Sequence, residues 1–185
     1  MRATRGQVLT YGGRLIEAAY HASCGGKTES AGDVWKFDFP YLRSVPCPYD
    51  AAPQPVRTVS FSLPQVEKAL GISIGAVPVS GGGETAPGLI KVVEKTAGGR
   101  PKTLLAGAEK IPAVVVRDRL GLRSTNFSWK VQGDQIAFTT TGYGHGVGLC
   151  QYGARGMAAH GYDYRTILRH YYLGVAITGT ATADR

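Results

Sequence analysis

Tyr143-Gly144-His145-Gly146-Val147-Gly148-Leu149-Cys150-Gln151-Tyr152-Gly153-Ala154 alternates glycine with other residues and then opens into a helix-like pattern ending near His160-Gly161. Glycine at alternate positions lets the backbone turn tightly and lets another group approach main-chain N–H groups. A glycine-rich helix entry can hold an anion, because its first N–H groups have no intrahelical partner. This one lacks the Lys-Ser/Thr pair of a phosphate loop and the spacing of a dinucleotide site, so phosphate binding is set aside. What remains is chemistry beside a turn: His145, Cys150, Gln151 and Tyr152.

A second polar, glycine-rich patch lies upstream, at Tyr20-His21-Ala22-Ser23-Cys24-Gly25-Gly26-Lys27-Thr28-Glu29. Val34-Trp35, Pro40-Tyr41-Leu42-Arg43-Ser44-Val45 and Cys47-Pro48-Tyr49-Asp50 follow it. Cys24 and Cys47 are close enough in sequence for a modest disulfide loop, which would leave Cys150 over. That disulfide is the preferred expectation; unpaired thiols come next. His21, Cys24 and Cys47 could instead be three ligands of a zinc site, since imidazole and thiolate suit that metal, although no fourth ligand is evident. A disulfide fits an oxidising compartment and thiols a reducing one, so the cysteines leave the compartment open. A thiol enzyme would pair Cys150 with His145 or His160, but no third residue to orient the base is evident.

The totals bound the answer. At 185 residues and 43% hydrophobic content, the chain amounts to one ordinary domain or slightly more. No apolar run is long enough for a transmembrane helix, and no charged-then-apolar leader is seen. Twenty-six glycines and ten prolines call for many turns and short strands rather than a helix bundle. The net charge of +8 suits anionic partners, whether nucleic acid, acidic lipid or the carboxylate- and phosphate-rich polymers of a cell wall, and charge alone does not choose among them. The basic residues are scattered and no nucleic-acid-binding motif is present, so nucleic acid is not expected as a partner.

In order, Val8–Tyr11 and Leu15–His21 read as a hairpin across Gly12-Gly13, with Glu17 and His21 on one strand face. Thr58–Leu63 reads as a strand. Ser62-Leu63-Pro64-Gln65 then starts a helix by a capping box, with Gly71 as its stop. Pro78–Gly88 reads as a loop. Leu89–Lys95 and Lys102–Leu105 form a hairpin, Ile111–Leu120 a helix, and Phe127–Val131 with Gln135–Thr140 another hairpin across Gly133-Asp134. Asp163 caps a last helix over about Tyr164–Tyr172. The expected fold class is α+β: a strand-rich single domain with several β-hairpins and three to four short helices around a cleft.

These pieces together resemble the SpoIID/LytB family of bacterial cell-wall proteins. Its C-terminal signature is similar to Gly142–Ala154, Met157-Ala158 and Tyr171-Tyr172-Leu173-Gly174, with Tyr143 between Gly142 and Gly144 as a visible departure. Its Tyr-His-Ser/Ala-x-Ser/Cys-Gly-Gly-x-Thr pattern is similar to Tyr20–Thr28, and its Leu-Gly-Leu-x-Ser segment to Leu120–Ser124. The resemblance implies one domain over residues 1–177 with a tail at 178–185. It implies a lytic transglycosylase of peptidoglycan, cutting the MurNAc–GlcNAc bond to leave a 1,6-anhydro end, or else a glycan-binding or amidase-enhancing module. Glycan strands, and a cell-wall amidase, are the implied partners, in the cell envelope or outside the cell. No cofactor is implied beyond the zinc alternative; some relatives are associated with zinc through a ligand spacing that this chain does not reproduce.

By match to the motifs, His21, Ser23, His145, Gln151 and Tyr152 would line the glycan groove. The alternative for His145 and Gln151 is that they satisfy buried backbone. The family's acid/base glutamate belongs to a segment reading roughly Leu-Glu-x-Tyr-(Leu/Val)-x-x-Val and then Val-x-x-Glu-Met. Nothing like it occurs in this sequence, so no catalytic residue is expected within the chain. Glu17 and Glu29 belong to different motifs and are not assigned that role.

Overall fold

The computed structural model describes residues 4–73 and 90–179; the expected loop at 78–88 lies outside them. Strands β1 (Gln7–Tyr11) and β2 (Arg14–Leu15) turn across Gly12-Gly13, with Thr10 opposite Leu15 and Tyr11 opposite Arg14. The hairpin is as expected, but its second strand stops at Leu15. The chain crosses to β3 (Tyr20–His21), which pairs in parallel with a distant strand, so Glu17 and His21 share no strand face. Glu17 is exposed while His21 is 4% exposed.

A one-turn helix, α1 (Ala31–Val34), follows the upstream glycine patch. Next come β4 (Val56–Ser62) and α2 (Leu63–Leu70). Ser62 accepts from the Gln65 amide while the Gln65 side chain accepts from the Ser62 amide, and Gly71 ends the helix in the left-handed region, φ +71°. Strands β5 (Ile90–Lys95), β6 (Pro101–Ala106) and β7 (Glu109–Pro112) form one antiparallel sheet. Helix α3 (Ala113–Arg119) is shorter than expected, because Glu109–Pro112 pair with β6 and Pro112 becomes the N-cap. Strands β8 (Phe127–Gln132) and β9 (Gln135–Thr141) turn across Gly133-Asp134, and β9 also pairs with β4.

The final third holds β10 (Leu149–Cys150), α4 (Gln151–Ala159), α5 (Tyr164–Tyr171) and β11 (Ala176–Gly179). Asp163 caps α5 through the Thr166 amide at 2.8 Å. Strand β11 runs antiparallel to β1, so residues 178 and 179, assigned to a tail, carry sheet hydrogen bonds. Among the described residues, five helices, where three to four were expected, and eleven strands in small sheets make an α+β domain. No helix of the described residues is long and apolar enough to cross a membrane.

Two apolar clusters divide the interior. Val66, Leu104, Val116, Ile136 and Phe138 centre the first, under α2, α3 and the larger sheets. Leu42, Val147, Met157, Ile167 and Tyr171 centre the second, under the two glycine-rich motifs and α4 and α5. A buried ion pair bridges the two clusters: Arg100 Nε lies 3.1 Å from Glu29 Oε1, with side-chain exposures of 3% and 0%. The Arg100 guanidinium also donates to the carbonyls of Cys24 and Lys27, and the Glu29 amide donates to the Gly146 carbonyl. The β5–β6 hairpin thereby grips both motifs at once. Lys102 adds a partly exposed bond to Asp33 beside it.

Removing one member of a buried pair leaves the other charged, desolvated and alone, which costs about 3–5 kcal/mol. Glu29→Leu or Arg100→Leu alone should therefore lower stability in urea unfolding by about that much, and the double variant should recover most of the loss. Near-zero single losses, or strict additivity in the double, would show that the pair does not couple the two halves.

Candidate functional site

The two motifs meet as neighbouring backbones. Ser23 and Tyr143 exchange amide–carbonyl bonds of 3.1 and 2.8 Å, β3 lies beside β10, and the Tyr152 amide donates to the Ala22 carbonyl. So close an approach requires Gly148: at φ +73°, a Cβ there would strike the Ala19 carbonyl.

His145 fastens this junction. The Val147 amide donates to Nδ1 at 3.1 Å, so Nδ1 carries no proton, and Nε2–H donates to the Tyr20 carbonyl at 3.0 Å. Both ring nitrogens are thus spent on backbone from the two motifs. The ring also packs on Trp35 (centroids 5.2 Å) and edge-on to His21 (5.6 Å). Desolvation holds its pKa below the ordinary histidine value, only partly offset by the Tyr20 carbonyl. The imidazole is neutral and structural. His21 does similar work, with Nδ1 3.1 Å from the Val147 carbonyl.

Beside the junction opens a cleft of about 190 Å³, lined by Ser23, Gln54, Arg123, Tyr143 and Tyr152 among others. Ser23 Oγ donates to Asp50 Oδ2 at 2.8 Å, which fixes its hydroxyl. The Arg123 guanidinium sits over the Tyr143 ring, 5.8 Å from its centroid, and donates to the Gln54 carbonyl. Tyr143 is 57% exposed, an aromatic face open to a ligand. Of the residues singled out by sequence, Ser23 and Tyr152 line this cleft. His21 and His145 brace it from behind, and Gln151 is an exposed residue at the start of α4. Tyr143 and Arg123 were missed, although both lie inside matched segments. Tyr143 stood there as an irregularity in the motif, and Arg123 at its variable position.

The carboxylates separate clearly. Glu29 has its pKa raised by desolvation, opposed by the neighbouring Thr96 hydroxyl and the charge of Arg100. A raised pKa suits an acid catalyst, but this side chain is wholly enclosed and ion-paired. Glu17 is exposed, and its carboxylate makes no hydrogen bond or ion pair among the described residues.

The cysteines correct the expected pairing. Cys24, Cys47 and Cys150 are all buried and free, so the Cys24–Cys47 disulfide is not formed. Their sulfurs and an Asp50 oxygen all lie within 4.8 Å of one another. His21 is not in that group, because its ring is turned to Val147; Cys150 and Asp50 take the places that sequence left open. Cys150 Sγ meets the Ala22 carbonyl and the Gly153 amide rather than a histidine, and His160 Nδ1 is bonded to the Gly156 carbonyl. The thiol-enzyme arrangement is therefore absent among the described residues.

The neutral, desolvated state of His145 has a pH signature. A depressed histidine pKa means that below about 6.5 the unfolded chain takes up a proton the native state refuses. Stability from this site is present above that pH and is lost as pH falls through it. The urea midpoint of the wild type should drop more steeply from pH 7.5 to 5 than that of His145→Gln. Parallel pH profiles for the two proteins would contradict the assignment.

No family model matches the chain. The chain is similar to stage II sporulation protein D of Bacillus amyloliquefaciens, 37% identical over 176 residues that cover 95% of this chain and 48% of that protein. It is similar to the protein of the same name from Bacillus subtilis (strain 168), 36% identical over 95% of this chain and 49% of that protein. The amidase enhancer of Bacillus subtilis is 29% identical over 95% of this chain and 31% of its own length. The chain spans about half the length of the sporulation proteins it matches. With both glycine-rich motifs joined at one cleft and these likenesses running along nearly all of its length, the chain belongs to the SpoIID/LytB family.

Proposed function

We propose that this domain grips peptidoglycan glycan strands in the cell envelope and presents them for cleavage by a lytic transglycosylase route. The observation that supports this reading is the convergence of both family motifs on a cleft offering hydroxyl, guanidinium and open aromatic groups together. Sugars are held by hydrogen bonds to their hydroxyls and by aromatic faces against their C–H surfaces. Ser23, Tyr143 and Tyr152 supply those groups, and Arg123 suits the carboxylates of the wall polymer.

In that route a carboxylic acid protonates the glycosidic oxygen as the C1–O bond breaks. The 6-hydroxyl of the same muramyl residue closes on C1, and its proton returns to the carboxylate. No water is consumed, in contrast to glycosidases that use two carboxylates. Neither Glu29, locked on Arg100, nor Glu17, unheld, meets the requirement for a positioned acid. The acid in this reading therefore belongs to the family's glutamate segment, which the sequence does not contain.

That neither Glu17 nor Glu29 is a positioned acid favours a second reading, a glycan-binding module that enhances an amidase. One relative carries that name. The two differ in product: the first yields anhydro-muramyl ends, the second only faster amide cleavage by a partner.

The test is digestion of purified glycan strands, with and without stem peptides, read by mass spectrometry for anhydro-muramyl ends. This chain should bind the strands without cutting them, and a form carrying the glutamate segment ahead of it should produce anhydro ends. Arg123→Ala and Tyr152→Ala should each weaken binding about 5- to 30-fold. Anhydro ends from this chain alone would move the acid inside it, with Glu17→Gln as the next variant. Binding without cleavage by the longer form would favour the enhancer.

A further inference from the structure

Three cysteines from three distant parts of the chain, Cys24, Cys47 and Cys150, converge with Asp50 on one buried point. We infer that these four side chains form a structural zinc site, with its three sulfurs buried and Asp50 partly buried, set behind the cleft wall through the Ser23–Asp50 hydrogen bond.

The ligand atoms suit one tetrahedral ion. Zinc–sulfur bonds of about 2.3 Å place ligand atoms roughly 3.8 Å apart, so a group spread within 4.8 Å needs only a small contraction. The space is that of a single ion rather than a multi-iron cluster. Thiolates with one carboxylate are a donor set for zinc, and hard cations such as magnesium or calcium would seek oxygen instead.

Asp50 is already aimed. Its Oδ2 accepts from Ser23 Oγ, from the Gly25 amide and from Cys24 Sγ, while its Oδ1 is enclosed with no hydrogen-bond partner. Outer donors for the sulfurs are also in place. The Gly153 amide points at Cys150 Sγ at 3.4 Å, and the Tyr171 hydroxyl lies 3.0 Å from Cys47 Sγ. Such N–H and O–H groups orient thiolate ligands and offset their charge. Residue 153 has to be glycine, because a Cβ there would strike both Cys47 Sγ and the Tyr171 hydroxyl. Arg100, bonded to the Cys24 carbonyl, adds a positive charge nearby.

A disulfide between any two of these cysteines would leave the third thiol buried beside Asp50 with no use. A zinc ion uses all four groups. Binding changes no oxidation state: each thiol that ligates loses its proton to solvent as its sulfur bonds the metal. The bound ion would tie Cys24 and Asp50 of the upstream region to Cys150, the cap of α4, and so hold the two motifs together.

The test uses the 185-residue chain produced with zinc in the medium. Metal analysis and native mass spectrometry should find one zinc per chain, and removal by a chelator should lower the melting temperature. Cys47→Ser and Cys150→Ser should each lose the stoichiometric metal. Because these variants could fail to fold, the reduced wild-type protein is also titrated with Co²⁺. One equivalent should produce the sulfur-to-cobalt absorption in the near ultraviolet and the visible bands of a tetrahedral ion. Reduced protein that takes up neither metal overturns the inference. So does a zinc-supplemented preparation whose mass shows the loss of two hydrogens to a disulfide.

Discussion

The Glu29–Arg100 pair is the constraint on which the rest depends. Both side chains are essentially excluded from water, which makes the pair expensive to bury and therefore a poor source of stability by itself. Its effect is positional. Arg100 sits at the foot of β6, Glu29 in the upstream motif and Gly146 in the downstream one, and the hydrogen bonds around the pair join all three. Gly98 carries no side chain for the same reason, since a Cβ there would run into the Glu29 carboxylate. A glycine in a hairpin turn, where any turn-former would serve for the backbone alone, is thus explained by a charge seventy residues away in sequence.

What was legible in the sequence was mostly local. The capping box of Ser62 and Gln65, the Gly71 stop, the Asp163 cap and the turns at Gly12-Gly13 and Gly133-Asp134 each depend on residues within a few positions of one another. What was not legible depends on partners far along the chain. Leu15–His21 has the alternation of one strand, but Tyr20 and His21 are claimed by Leu149 and Cys150, and the run breaks to reach them. Ile111 and Pro112 look helical until β6 takes them as a strand. Cys24 and Cys47 look like a pair because Cys150, the third member, is more than a hundred residues away.

The candidate site shows the same division. Motif matching found the two segments that form it, and Ser23 and Tyr152 within them. It could not separate residues that face a ligand from residues that hold the wall. His145 carries the chemistry of a ligand-binding residue, but both ring nitrogens are committed to backbone. Tyr143 looked like an irregularity and is the most open aromatic face at the cleft.

A domain built this way has a rigid back, made of paired glycine turns, a neutral histidine and a buried ion pair, and a front that offers a serine, an arginine and two tyrosines. The most direct test of that division is a backbone amide shift map of the labelled chain titrated with a soluble GlcNAc–MurNAc oligosaccharide. Shifts concentrated at Ser23, Arg123, Tyr143 and Tyr152, with α2 and the β8–β9 hairpin unmoved, are the expected result. Saturable shifts on another face, with these four unchanged, would contradict it.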